Sequence, residues 1–78
     1  MGGWNFNRKQ CIRALKRMGF ILSNKRSGKH DKYKAPFDCH PPFVMVPRHN
    51  QLHCQDEIVG EIFKMGGQNL VDKFKSFL

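Results

Sequence analysis

The sequence predicts a small α+β domain, in which helices lie on one face of a three-stranded antiparallel sheet. Near both ends of the chain, apolar residues recur at steps of three and four, as on the buried side of a helix. Between those regions, apolar and polar residues alternate in short runs that glycine and proline separate. The 78 residues suffice for a single domain with one core. We therefore expect the order α-β-β-β-α, followed by a short C-terminal helix.

The first helix is predicted from about Asn7 to Met18. Asn7 can accept a hydrogen bond from the first turn and so cap the helix. Gly19 supplies the left-handed residue that ends many helices, and Phe20 can fold back onto the last turn. The stripe of apolar residues that would face the core is Cys11, Ile12, Leu15 and Met18.

Three strands are predicted in the middle of the chain. They are Phe20–Asn24, Lys29–Ala35 and Phe43–Val46, with a hairpin turn at Lys25–Gly28. Proline cannot donate a hydrogen bond to a sheet, so Pro36, Pro41 and Pro42 confine the segment before the third strand to a loop. The polar segment Arg48–Cys54 is expected to be irregular.

Two helical segments are predicted in the last third. The first runs from about Gln55 to Met65, and its Gly60 suggests a close contact between helix and sheet. Gly66-Gly67 should break the chain before a final helix, Leu70–Phe77, capped by Asn69. The domain core would then span about residues 7–66, with the terminal helix at 68–78. The apolar stripe of that helix is most simply part of the core. A homodimer that uses some of the stripe as its interface is the alternative.

The charge predicts a polyanionic partner. Fourteen Lys and Arg residues against six Asp and Glu give a formal net charge of +8, which creates a positive field over so small a body. Nucleic acid or an acidic protein is therefore expected before a small metabolite. The chain has no apolar run long enough for a membrane span and no signal-peptide pattern, so we expect a cytoplasmic protein. Three cysteines without framework spacing fit reduced thiols.

The second predicted strand carries the most informative side chains. Because strand residues alternate between faces, His30, Lys32 and Lys34 share one face. Asp31 and Tyr33 share the other, and Tyr33 suits a face packed on helices. Because Asp31 is charged, on that face we expect it to lie at the sheet edge or to pair with a cation.

A solvent-facing histidine between lysines suits metal-free RNA cleavage. The lysines attract phosphate and offset charge that develops in the transition state. An imidazole exchanges protons near neutral pH, and acid–base assistance of this kind contributes ~10²–10⁴-fold in rate. RNA supplies its own nucleophile, the 2′-hydroxyl, so no cofactor is needed. The same lysine-rich face would equally suit passive RNA binding.

From about Asn7 to Gly66, the chain resembles the HicA family of prokaryotic toxins. Gly28-x-His30-x-x-Tyr33 looks like the family's G-S-H-x-x-[FY] signature. Val44-Met45-Val46-Pro47-Arg48-His49 resembles its V-x-V-P-x-H segment, and the helix from Ile58 to Gly66 resembles its closing helix. Met18-Gly19-Phe20 matches the family's first helix, which ends in an aromatic residue after glycine.

The resemblance implies a double-stranded-RNA-binding-domain-like fold and a ribonuclease that cleaves messenger RNA. It implies that His30 is catalytic, that Gly28 allows the tight approach to the strand, and that a HicB-like antitoxin covers the active surface. Lys29 stands where the family has Ser, which could change activity. The usual G-T-L before the closing helix is missing.

The sequence thus nominates one catalytic and several RNA-binding residues. His30 is the general base or acid, and the expected RNA contacts are Lys25, Arg26, Gly28, Lys29, Lys32, Lys34, Arg48 and His49. His49 is either a second acid–base residue or a loop residue near phosphate. Zinc is not expected, because neither Cys39-His40 nor His53-Cys54 has the usual spacing between ligands.

Two other classes of function stay open. A non-catalytic RNA-binding module would use the same basic face, with salt-sensitive binding and no new RNA ends. A regulatory protein would direct its charge at an acidic protein partner.

Overall fold

The computed structural model describes residues 4–23, 30–48 and 54–78. Their elements are α1 (Arg8–Arg17), β1 (Ile21–Leu22), β2 (His30–Lys34), β3 (Phe43–Pro47) and α2 (Gln55–Ser76). The strands form an antiparallel sheet in the order β1-β2-β3. The chain is thus the α+β domain that the sequence predicts. The predicted hairpin turn, Lys25–Gly28, lies outside the described residues.

Helix α1 begins and ends as its sequence predicts. The Asn7 side chain accepts a hydrogen bond from the Gln10 backbone (2.8 Å), and the Gln10 side chain accepts one from the Asn7 backbone (2.9 Å). At the other end, Gly19 has a φ of +94°, and Phe20 N–H donates to the Leu15 carbonyl (3.0 Å). Phe20 is consequently buried under the last turn, as expected from the glycine-terminated helix end.

The sheet has one buried and one more open face. In β2 and β3 the buried positions alternate, and they are Asp31, Tyr33, Val44 and Val46. The apolar members of this set join residues of α1 and α2 in one hydrophobic core, so the helices cover this face. Strand β1 is shorter than predicted and lies at the sheet edge, where Ile21 and Leu22 are exposed.

The break predicted at Gly66-Gly67 is confirmed as a kink at Gly67, where two helical segments meet within α2. Gly67 has non-helical backbone (φ 74°, ψ −164°), and the break is shorter than predicted, so Asn69 lies inside the second helical segment and does not cap it. Helical backbone resumes at once because the following turns are fixed by packing. Phe74 is fully buried, and its ring lies 5.4 Å from that of Phe6. The predicted apolar stripe therefore does belong to the core.

Gly60 does not mark a close contact between helix and sheet, contrary to expectation. A Cβ placed on it would meet no atom of the described residues within 4 Å. Gly60 instead lines an open cavity beside β3. In the described part of the chain, neither helix is long and apolar enough to cross a membrane.

Candidate functional site

Three polar side chains form a row on the open face of the sheet. Strand β2 is central, and its exposure alternates so that His30, Lys32 and Lys34 lie on the face opposite the buried Asp31 and Tyr33, as the sequence predicts. His30 and Lys34 are exposed, and Lys32 is half-buried, with its ammonium 5.5 Å from the centre of the Phe43 ring. At about 3.3 Å per residue, the row spans ~13 Å, enough to follow a stretch of nucleic-acid backbone. We call these three residues the β2 row.

Asp31 is buried on the opposite face and has the cationic partners that the sequence requires. Its carboxylate accepts a hydrogen bond from Arg8 Nη2 (2.5 Å) and another from Arg48 Nε (2.7 Å). Arg8 Nε also donates to the Pro47 carbonyl (2.8 Å). The network ties β2 to α1 and to the end of β3. The sequence predicts that Arg48 contacts RNA, but at least one of its N–H donors, on Nε, is used in the hydrogen bond to Asp31.

His30 opens onto a cavity between β3 and α2, with a volume of about 490 Å³. We call it the β3-edge cavity. Its described lining residues are His30, Met45, Pro47, Cys54, Glu57, Ile58, Gly60, Glu61 and Lys64. A histidine, two carboxylates and a lysine thus meet in one depression at the end of the β2 row.

Glu61 is the residue of this cavity that sequence reasoning missed. Its Oε1 accepts a hydrogen bond from Met45 N–H (3.2 Å), a backbone donor on the outer edge of β3. Burial raises the pKa of the Glu61 carboxyl, and the bond from Met45 and the charges of Lys64 and His30 offset part of that rise. The sequence did contain a signal for Glu61, because it is an acidic residue between Ile58 and Ile62 on the apolar side of α2.

The thiol in the cavity is not activated. Burial, with the nearby charge of Glu57, raises the pKa of Cys54. Cys11, which is expected in the core, is fully buried, and its pKa is raised to about 12. A thiolate nucleophile needs a lowered pKa, so neither cysteine has the environment that such chemistry requires. Across the described ranges, no group of three or more His, Cys, Asp and Glu side chains is placed to hold a metal ion.

A second basic surface lies along α1. It borders a depression of about 660 Å³, with described lining residues Arg8, Lys9, Ile12, Arg13, Lys16, Arg17 and Tyr33. All the charged members of this set are cations. The positive charge of the chain is therefore distributed over more than the β2 row.

Several predicted site residues lie outside the described residues. They are Lys25, Arg26, Gly28, Lys29 and His49. Of the predicted set, the structure describes His30, Lys32, Lys34 and Arg48, and it brings the first three together on one face. Comparison with known family models, curated proteins and solved structures finds no match to this chain.

Proposed function

We propose that this protein is an RNA-binding endoribonuclease of the HicA toxin type, with His30 as a catalytic residue. The observation that supports it most is the position of His30, in line with Lys32 and Lys34 and at the mouth of the β3-edge cavity. An RNA strand along the β2 row would place a phosphate between the lysines and the imidazole. The row offers positive charge to the phosphorane-like transition state, and His30 offers proton transfer.

The family resemblance supplies the biological part of the proposal. The element order and the open sheet face agree with a double-stranded-RNA-binding-domain-like fold. Messenger RNA would be the substrate in the cytoplasm. A HicB-like antitoxin would inhibit cleavage by covering the β2 row, and a net charge of +8 favours an acidic inhibitor surface.

The test compares wild type with His30→Ala on mixed cellular RNA in the presence of a chelator, followed by gel electrophoresis. We expect cleavage by the wild type and loss of ~10²–10⁴-fold in rate for His30→Ala, the usual contribution of an acid–base group. His40→Ala is the matched control, because His40 is an exposed histidine on the loop before β3. It should cleave like the wild type.

Two outcomes would contradict the proposal. Equal cleavage by wild type and His30→Ala would remove His30 from the mechanism. RNA bound by both proteins without new RNA ends would instead support the non-catalytic RNA-binding module.

A further inference from the structure

The β3-edge cavity brings an imidazole together with a carboxylate that is hydrogen-bonded to the sheet, and the two come from different elements. His30 is the first residue of β2 and Glu61 lies in the second turn of α2, and both line the cavity. Metal-free RNA cleavage needs two proton transfers. A base removes the proton of the 2′-hydroxyl, and an acid protonates the departing 5′-oxygen. A single imidazole cannot readily do both in one step, because the two oxygens lie on opposite sides of the phosphorus.

We propose that Glu61 is the general base and His30 the general acid of this site, an assignment that rests on the proposed ribonuclease function. The carboxylate is held in place for this role. Its Oε1 is fixed by the Met45 backbone N–H (3.2 Å), and a carboxylate has a second oxygen with lone pairs of its own. The base is therefore anchored to the sheet that presents the acid.

The charges around Glu61 support this division of roles. The groups that act on it are His30 from β2, the Met45 N–H from β3, and Lys64 and Glu57 from α2. The charge of His30 stabilises the ionised carboxylate of Glu61. A deprotonated Glu61 is the state that a base requires, and His30 lines the same cavity, where it can serve as the acid. Burial makes the carboxylate a stronger base than an exposed one.

The two groups act together in one step, in which the phosphoryl group is transferred to the 2′-oxygen. Glu61 takes the proton of the 2′-hydroxyl while the 2′-oxygen forms a bond to phosphorus. The bond from phosphorus to the 5′-oxygen breaks, and His30 gives its proton to that oxygen. The products are a 2′,3′-cyclic phosphate and a 5′-hydroxyl end. Lys64 lines the same cavity and can offset negative charge on the phosphoryl oxygens.

The decisive variant is Glu61→Gln. The amide oxygen of glutamine can still accept the Met45 hydrogen bond, so the variant removes the base and keeps the anchor. Asp56→Asn is the matched control, since Asp56 lies exposed on the same helix outside the described cavity lining and loses the same charge. With a short synthetic RNA we expect Glu61→Gln to lose ~10²–10⁴-fold in rate, while Asp56→Asn keeps the wild-type rate.

The pH profile separates a base from a structural residue. In the wild type, cleavage should fall on the acid side as Glu61 becomes protonated. Because the pKa of Glu61 is raised, this fall should begin at a higher pH than for an exposed glutamate. In Glu61→Gln, the residual rate should lack this acidic limb. A normal rate and an unchanged acidic limb in Glu61→Gln would overturn the assignment.

A second measurement does not depend on activity. The carboxyl carbon of Glu61 is followed by NMR through a pH titration in the wild type and in His30→Ala. We expect the pKa of Glu61 to rise further in His30→Ala, because the charge of His30 lowers it in the wild type. An unchanged titration would refute the coupling. Cleavage that requires His30 and not Glu61 overturns this inference alone, whereas a wild type that leaves RNA intact overturns the proposed function with it.

Discussion

The Asp31 network should be one of the largest polar contributions to the stability of this domain. Asp31 is buried and accepts hydrogen bonds from two guanidinium groups, on Arg8 and Arg48. Hydrogen bonds to charged groups contribute about 1.5–3 kcal/mol each. The Arg48 side chain is 42% exposed, so its bond belongs at or below the low end of that range. We therefore expect Asp31→Ala to lower the free energy of unfolding by about 2–4 kcal/mol.

That loss is large for a chain of this size. At about 0.05–0.15 kcal/mol per residue, a domain of 78 residues has a total stability of roughly 4–12 kcal/mol. Urea unfolding followed by circular dichroism measures the change. With an m value of about 1.5 kcal/mol per molar urea, a loss of 3 kcal/mol moves the midpoint by about 2 M.

Matched variants test whether the network is the cause. Asp38→Ala removes an exposed aspartate and should change stability by no more than about 0.5 kcal/mol. Arg8→Ala should cost more than Arg48→Ala, because Arg8 is less exposed and also donates to the Pro47 carbonyl. A loss below about 1 kcal/mol for Asp31→Ala, or equal losses for the two arginines, would refute this reasoning.

Two further predictions concern glycine and cysteine. Gly67→Ala should destabilise the protein by about 1–3 kcal/mol, because φ 74° with ψ −164° is accessible essentially only to glycine. Gly60→Ala should instead stabilise it by up to about 1 kcal/mol, because Gly60 is helical and a Cβ there meets open space. Thermal unfolding of both variants tests whether the two stability changes have opposite signs. Cys11 should react with iodoacetamide at pH 8 much more slowly than the partly exposed Cys39, because Cys11 is fully buried and its pKa of about 12 leaves almost no thiolate. Peptide mass spectrometry would locate the label, and early labelling of Cys11 would contradict its placement in the core.

The features that the sequence predicted well depend on neighbouring residues. The cap of α1 joins Asn7 to Gln10, and its C-terminus depends on Gly19 and Phe20, so a few adjacent side chains decide both. The β2 row follows from alternation along a single strand. Short-range chemistry of this kind is readable from residue order alone.

The features that it missed depend on distant packing. The sequence predicted the break at Gly66-Gly67, but not that helical backbone resumes directly after Gly67, where Phe74 packs against Phe6 near the other end of the chain. Glu61 accepts a hydrogen bond from the Met45 N–H at the edge of β3, which α2 approaches only in the folded domain. Periodicity assigns each residue to a face of its own element. It does not indicate which edge of the sheet a helix will reach.

The two acidic anchors explain how so basic a chain can hold His30 in a defined position. Asp31, the next residue along β2, is bound to Arg8 on α1, which fixes the strand from the helix-covered face. Glu61 is bound to β3 at Met45, which pairs with β2 at Lys32, and this fixes α2 beside the strand that presents His30. Proton transfer depends on sub-ångström placement, so an imidazole on an exposed strand needs such supports on both sides. If the proposed ribonuclease function holds, loss of the Asp31 anchor should reduce cleavage even where the protein remains folded, because it loosens the strand that carries His30, the proposed acid, relative to the helices.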